Sequence, residues 1–167
     1  MEEQMVPMAF FVTSGVGMDT EHANAFDLAL RDAGIGECNL VGVSSILPAN
    51  AVVTERRNVT ITPGSITFCV LSRADGKSGE VIGAGVGYGW LGAKTESGEA
   101  QKSEFGIICE HHGHHSREYL TEKVQEKLQT MATIRDMELL KNELLVESVE
   151  VEKGKFGAVV AVLVFVF

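Results

Sequence analysis

The most regular pattern in the chain is an alternation of glycine with larger apolar residues. Every odd position from 83 to 89 is glycine, and every even position from 82 to 90 is apolar or aromatic. A period of two predicts a β-strand over residues 81–90, because successive side chains of a strand point to opposite faces. Its bare glycine face allows another layer to approach closely.

Two segments instead carry apolar residues at helical spacing. The first is expected to end near Ala33, since Gly34 suits the left-handed position beyond a helix end, and Asp19 or Thr20 is expected to cap its start. The second and longer helix is predicted from Ser116 to about residue 137, with one apolar side and one charged side.

The remaining apolar runs are short and are predicted to be strands. They cover residues 6–13, 38–43, 66–71, 105–110, 143–151 and 156–167. Residues 73–79 are predicted to form a polar turn, and residues 44–63, which contain Pro48 and Pro63, an irregular segment. Two helices with about seven strands indicate an α+β layered domain, because a doubly wound sheet would need more helices.

Composition narrows the range of functions. The 167 residues suit one domain, and a formal net charge of −9 argues against nucleic-acid binding and is compatible with a cationic substrate. The three cysteines, Cys38, Cys69 and Cys109, do not resemble a disulfide framework. The N-terminus lacks the positive region of a secretory signal, and the apolar tail over 156–167 is shorter than the about 20 residues of a membrane helix. We therefore expect a soluble cytoplasmic protein without a membrane partner.

A group of motifs carries the functional signal. They are Asn24-Ala-Phe-Asp27, Ala33-Gly-Ile-Gly36, Asn39-Leu40, Ser44-Ser45-Ile-Leu-Pro48 and Gly106-Ile-Ile-Cys-Glu110. In this order they resemble the archaeal-type pyruvoyl-dependent arginine decarboxylases. That resemblance implies a four-layer αββα sandwich and assembly into trimers or a dimer of trimers, with active sites between neighbouring subunits.

The resemblance also implies that the chain makes its own cofactor. The Ser45 hydroxyl would attack the carbonyl of Ser44, and the peptide would become an ester by an N-to-O shift. Elimination and loss of ammonia would then leave a covalent pyruvoyl group at position 45. The products would be a fragment of residues 1–44 (β subunit) and one of residues 45–167 (α subunit). Asn39 matches the residue that assists this step in the family, and its amide can donate to an oxyanion.

The same resemblance assigns roles in turnover, with L-arginine as substrate, agmatine and CO2 as products, and polyamine synthesis as the usual destination. The pyruvoyl ketone would accept the substrate amine and act as the electron sink for decarboxylation. Glu110 matches the family's proton donor, and Asp27 matches a carboxylate suited to a guanidinium. Gly36 and Cys38 lie beside the site and could offer backbone contacts. No metal is implied.

Three alternatives remain open at this point. A pyruvoyl enzyme could act on another amino acid, such as histidine. The chain could also stay uncut and serve as an assembly partner or a metal-binding module, because His111, His112, His114 and His115 are close enough in sequence to bind a transition metal. We expect these histidines to lie in a solvent-facing loop that leads into the second helix.

Overall fold

Two β-sheets lie face to face, and each carries one helix on its outer surface. This arrangement comes from a computed structural model that describes residues 3–95 and 102–167. In that part of the chain, one sheet has five strands in the order β2-β5-β9-β1-β4, and the other has four in the order β3-β7-β6-β8. The predicted α+β class and the four-layer αββα sandwich are therefore confirmed.

The elements follow one another along the chain with short connections. They are β1 (Ala9–Asp19), α1 (His22–Asp32), β2 (Asn39–Gly42), β3 (Ile46–Leu47), β4 (Val52–Val53), a 3-10 turn (Arg56–Asn58), β5 (Ile66–Lys77), β6 (Val81–Ala93), β7 (Phe105–Gly113), α2 (Arg117–Ile134), β8 (Met137–Glu150) and β9 (Phe156–Val166). The apolar tail is β9, a central strand that pairs antiparallel with both β1 and β5. Neither helix in the described ranges is long and apolar enough to cross a membrane.

Three apolar clusters fill the spaces between the four layers. The inter-sheet core contains Phe10, Tyr88, Ile108 and Leu163, and the rings of Phe10 and Tyr88 meet edge to face at 4.9 Å. A second cluster lies between the five-stranded sheet and α1, and a third lies between the four-stranded sheet and α2. Each sheet is therefore apolar on both faces.

The predicted glycine-faced strand is confirmed as β6, and its bare face meets α2. A Cβ added at Gly83 would lie 2.5 Å from Leu120 Cδ1, and one at Gly87 would lie 2.6 Å from Val124 Cγ1. The helix itself begins after Ser116, whose side chain accepts a hydrogen bond from the Tyr119 N–H. The missing side chains of the strand are thus replaced by leucine and valine side chains of the helix.

Two local predictions were wrong. Residues 73–77 are not a turn, because β5 continues to Lys77 in antiparallel pairing with β9. The turn was predicted from the polar residues of this segment. In the structure, the Arg73 guanidinium forms two hydrogen bonds with Asp75 and stacks 3.5 Å from the Phe26 ring. Arg73 and Asp75 can therefore occupy strand positions. The cap of α1 is Glu21, without a side-chain hydrogen bond.

Other boundaries moved without a change of element type. The first strand lies over Ala9–Asp19, later than predicted, and the strand expected over residues 143–151 begins at Met137. Gly34 has φ +78° and follows Ala33, the C-cap of α1, so its predicted left-handed position is confirmed.

Candidate active site

The Ser44-Ser45 pair lies where the chain crosses from one sheet to the other. Before it, the Val43 N–H donates to the Cys69 carbonyl of β5 at 2.8 Å. After it, the Ser45 carbonyl accepts from the Ile108 N–H of β7 at 2.7 Å. The peptide bond between the serines thus joins two segments that are anchored independently. A break at this bond would leave each new chain end held by its own sheet, which suits a covalent group that begins a chain at position 45.

Glu110 lies on the same face of the four-stranded sheet as Ser45. The bond between Ser45 and Ile108 continues the antiparallel register that pairs Ile46 with Ile107. Ile108 contributes to the inter-sheet core, and alternation places Glu110, two residues further on, on that same face. Diagonal neighbours in such a ladder are about 7–8 Å apart. Ser45 and Glu110 are therefore diagonal neighbours on one face of the sheet.

The Glu110 carboxylate is held at the margin of the core. Its side chain is 31% exposed, and its Oε2 lies 2.8 Å from Nδ1 of His112. The backbone carbonyl of Glu110 accepts a hydrogen bond from the Lys127 ammonium of α2, also at 2.8 Å. Both the carboxylate and the main chain of this residue therefore have fixed partners.

An apolar cavity of about 320 Å³ opens beside Ser44. Its walls come from the N-terminal segment, the chain around the crossover, β5 and the C-terminal end of the chain. They are Met5, Pro7, Val43, Ser44, Ile46, Pro48, Phe68, Phe165 and Phe167. The cavity is open to solvent and places an apolar surface beside the peptide bond of the serine pair.

Asn39 is not brought to the serine pair within one chain. It begins β2, and its side-chain amide donates to the Gly64 carbonyl at 3.1 Å. Each residue of a strand advances the chain by about 3.3 Å, so Asn39 lies roughly 13 Å from Val43. The Asn39 side chain therefore has another partner and stands at the far end of the strand from Ser44.

The residues expected to bind substrate lie on α1, which covers the five-stranded sheet, and in the loop that follows this helix. Asp27 is exposed on α1. Gly36 approaches the Arg31 side chain, and the Cys38 thiol donates to the Ile35 carbonyl at 3.2 Å. In the described ranges, no hydrogen bond or ion pair joins these three residues to the serine pair.

The histidine cluster is split between a strand and the loop after it. The expectation of a single loop was wrong, because His111 and His112 belong to β7. His111 faces α2, where its Nδ1 lies 2.9 Å from the Lys127 ammonium and its ring stacks on His115 at 5.5 Å. Partial burial, followed by Lys127 and His115, lowers the pKa of His111. In the described part of the chain, no group of three or more His, Cys, Asp or Glu side chains is arranged to hold a metal ion.

Lys127 contacts the candidate site but lies in none of the motifs. Its position on α2 carried a signal, since it follows the buried Val124 by three residues and so lies on the sheet-facing side of the helix. A charged residue on that side needs a polar partner. The partner is a strand carbonyl that no sequence pattern marks.

The sandwich of two sheets and two outer helices is the fold that the resemblance to pyruvoyl-dependent arginine decarboxylases implies, and it brings the Ser-Ser pair and Glu110 to one face of one sheet. The comparison with known families gives the same result, because the family described as pyruvoyl-dependent arginine decarboxylase matches residues 9–167. The chain belongs to this family, whose enzymes depend on a covalent pyruvoyl group.

Individual relatives match between 52% and 96% of the chain. A pyruvoyl-dependent arginine decarboxylase of Methanopyrus kandleri is 35% identical over 160 residues, which are 96% of this chain and 97% of that protein. A probable one from Chloroherpeton thalassium is 36% identical over 153 residues, 89% of this chain and 80% of that protein. Pyruvoyl-dependent arginine decarboxylase 1 of Methanosarcina acetivorans is 42% identical over 90 residues, 52% of this chain and 54% of that protein.

Proposed function

We propose that this protein cleaves itself between Ser44 and Ser45 and then converts L-arginine to agmatine and CO2. The observation that carries the proposal is the position of the serine pair. It forms the crossover between the two sheets, with the Ser45 carbonyl bonded to the Ile108 N–H and Glu110 diagonal to it on the same face. Family membership supports the choice of arginine.

Cleavage needs only the chain's own atoms and water. The Ser45 Oγ attacks the Ser44 carbonyl carbon, and the acyl group moves from nitrogen to oxygen. Elimination breaks the new ester, which leaves a Ser44 carboxylate and a dehydroalanine at position 45. Addition of water and loss of ammonia convert this residue to a pyruvoyl group. An amide donor such as Asn39 would stabilise the oxyanion of the first step.

In turnover, the pyruvoyl group supplies an electrophilic carbonyl that draws electrons as CO2 leaves. Glu110 delivers the proton that replaces the carboxylate of the substrate. Asp27 binds the guanidinium through paired hydrogen bonds, and Gly36 and Cys38 offer backbone contacts.

We further propose that trimers, or pairs of trimers, complete this site. In the described part of the chain, no hydrogen bond joins Asp27 or Asn39 to Ser45, so we place both residues at the site of a neighbouring subunit. Apolar side chains that a neighbour could cover are exposed near the crossover, including Val41 at 39%, Val43 at 40% and Ile46 at 45%. A second copy of the chain would bury this surface.

We also propose a cytoplasmic location. All three cysteines are free thiols, and Cys69 and Cys109 are buried in the apolar clusters. Burial raises the pKa of Cys69 to about 11 and that of Cys109 to about 12, so both thiols stay protonated and unreactive at neutral pH. A reducing compartment suits such a chain.

Intact mass spectrometry of the purified protein, followed by CO2 release from an amino-acid panel, tests the proposal. We expect two fragments, with the larger one lighter by one ammonia than a fragment that begins with serine at position 45. Among arginine, histidine and aspartate, we expect release from arginine. A stable uncut chain of 18.0 kDa without turnover would overturn the proposal. If only histidine released CO2, histidine would be the substrate in place of arginine.

A further inference from the structure

The proposed proton donor has a titratable partner with access to solvent. Oε2 of Glu110 lies 2.8 Å from Nδ1 of His112, which is two residues further along β7 and on the same face. The Glu110 side chain is 31% exposed and that of His112 is 51% exposed. The pair therefore extends from the margin of the inter-sheet core to bulk water.

Decarboxylation of an amino acid consumes one proton in each turnover. The acid that gives this proton to carbon becomes a carboxylate, and it must be protonated again before the next cycle. Histidine is the side chain whose ordinary titration lies nearest to neutral pH, so it both accepts protons from water and passes them on under physiological conditions. A histidine in direct contact with the acid provides a route for that proton.

We infer that His112 acts through Glu110, as a positioning residue that orients the carboxylate and returns a proton to it after each turnover; this inference rests on the proposed function. The His112 imidazolium gives its Nδ1 proton to Oε2 of Glu110. The neutral ring then recovers a proton from water. The net transfer is one proton from solvent to Glu110, with no other reactant.

The polar groups around His112, apart from the Glu110 carboxylate, are bonded to other partners. Across the sheet, His112 pairs with Ala84 of β6, and Ala84 pairs with Glu147 of β8. The Glu147 carboxylate is bonded to Arg117 of α2 at 3.0 Å. On the opposite side of β7, Lys127 binds the carbonyl of Glu110 and leaves its carboxylate to His112. Ser72 of β5 donates to the His111 carbonyl and is uncharged.

The chain contains a matched control for this pair. His114 Nε2 lies 2.7 Å from Oε2 of Glu80, and the two side chains are 59% and 37% exposed. This pair has the same residue types, nearly the same distance and a similar exposure. Glu80 lies in the turn between β5 and β6 rather than on the strand that contacts Ser45. An effect that arises only from the loss of a surface histidine–glutamate contact would appear equally at His114.

The experiment compares three variants of the cleaved enzyme. His112→Asn keeps a hydrogen-bond donor near the position of Nδ1 but cannot relay a proton, His112→Ala leaves space for free imidazole, and His114→Gln is the control. The readouts are kcat and KM for arginine, with and without added imidazole. Intact mass and thermal unfolding establish that each variant is cleaved and folded.

We expect kcat of both His112 variants to fall at least about tenfold, less than the ~10²–10⁴-fold effect of removing a general acid itself. KM should stay within about twofold, because substrate binding does not use this proton. Imidazole should restore kcat of His112→Ala in a concentration-dependent way, and His114→Gln should retain the wild-type kcat.

Two results would overturn the inference. One is a wild-type kcat in His112→Asn, and the other is a loss in His112→Ala that imidazole does not restore. Failure of the proposed function has a different signature, since the wild-type protein would then release no CO2 before any variant is compared. If the wild-type enzyme is active and the His112 variants are unaffected, the proton relay is refuted and the proposed function stands.

Discussion

The two sheets hold their helices in different ways. In the five-stranded sheet, α1 lies directly against the strand backbone: a Cβ added at Gly15 would lie 2.0 Å from the Ala29 carbonyl oxygen, and one at Gly17 would lie 2.1 Å from that of Ala25. In the four-stranded sheet, α2 meets glycines through long side chains such as Leu120. The first interface is backbone against backbone, and the second is side chain against backbone.

The sheet whose helix interface can adjust more easily to an added side chain is also the sheet that carries the candidate catalytic residues. Backbone atoms of a helix can move aside only if the whole helix shifts, whereas the end of a leucine or valine side chain can shift alone by a few tenths of an ångström. The more tolerant four-stranded sheet carries Ser45 and Glu110, while the tighter five-stranded sheet carries the chain up to Val43. The Ser44–Ser45 peptide bond, which is proposed to break, connects the five-stranded sheet to the four-stranded sheet.

The largest effect is expected at that connection. Ser45→Ala removes the attacking hydroxyl and keeps the backbone carbonyl that bonds to Ile108, so the fold should persist while cleavage and turnover are lost. Intact mass should show one chain of 18.0 kDa. Ser44→Ala is the matched control, since Ser44 contributes its carbonyl rather than its hydroxyl, and it should still be cleaved, if more slowly. A cut between positions 44 and 45 in Ser45→Ala would refute the proposed attack.

The next largest effect is expected within the four-stranded sheet alone. Glu110→Gln keeps a side chain that can bond to His112 but cannot deliver a proton. We expect normal cleavage and a fall in kcat of about 10²–10⁴-fold, the usual effect of losing a general acid. Fragment masses and steady-state kinetics separate the two steps. Unchanged turnover would remove Glu110 from the mechanism.

In the five-stranded sheet, the expected effect is on stability. Gly17→Ala places a Cβ 2.1 Å from the Ala25 carbonyl oxygen and 2.4 Å from the Ala29 nitrogen, both of which are backbone atoms. One partner must move, so we expect the free energy of unfolding to fall by about 3 kcal/mol. Urea denaturation measures it. A loss below about 1 kcal/mol would show that α1 shifts easily and that the two interfaces do not differ.

The sequence predicted most of the fold because period and composition determine the elements locally. The glycine alternation of β6, the apolar run of β9 and Gly34 after α1 each carried their own signal. The extension of β5 through Arg73 and Asp75 did not. Its stability comes from pairing with β9, which is distant in sequence, and from the contact of Arg73 with Phe26.

The candidate site was predictable only in part. The motifs predicted roles for Ser45 and Glu110, and the sheet register places both residues on one face of the four-stranded sheet. Lys127 and the pairing of His112 with Glu110 were missed, because they depend on which strand faces which helix and on which residues share a face. In our proposal Asp27 and Asn39 act at the site of a neighbouring subunit, so neither the motifs nor the fold of one chain brings them to Ser45.

The smallest effect is expected at Gly85, and it tests the comparison most sensitively. A Cβ there would lie 3.1 Å from Val146 Cγ2 and 3.3 Å from Val124 Cγ2, both of them ends of side chains. The slight crowding opposes the gain of about 0.4–1 kcal/mol that alanine brings by restricting the unfolded chain. We therefore expect Gly85→Ala to change the free energy of unfolding by less than about 0.5 kcal/mol and to leave kcat unchanged. Urea denaturation beside Gly17→Ala measures the contrast. A loss at Gly85 as large as that at Gly17 would mean that side-chain packing under α2 is as rigid as the backbone contact under α1.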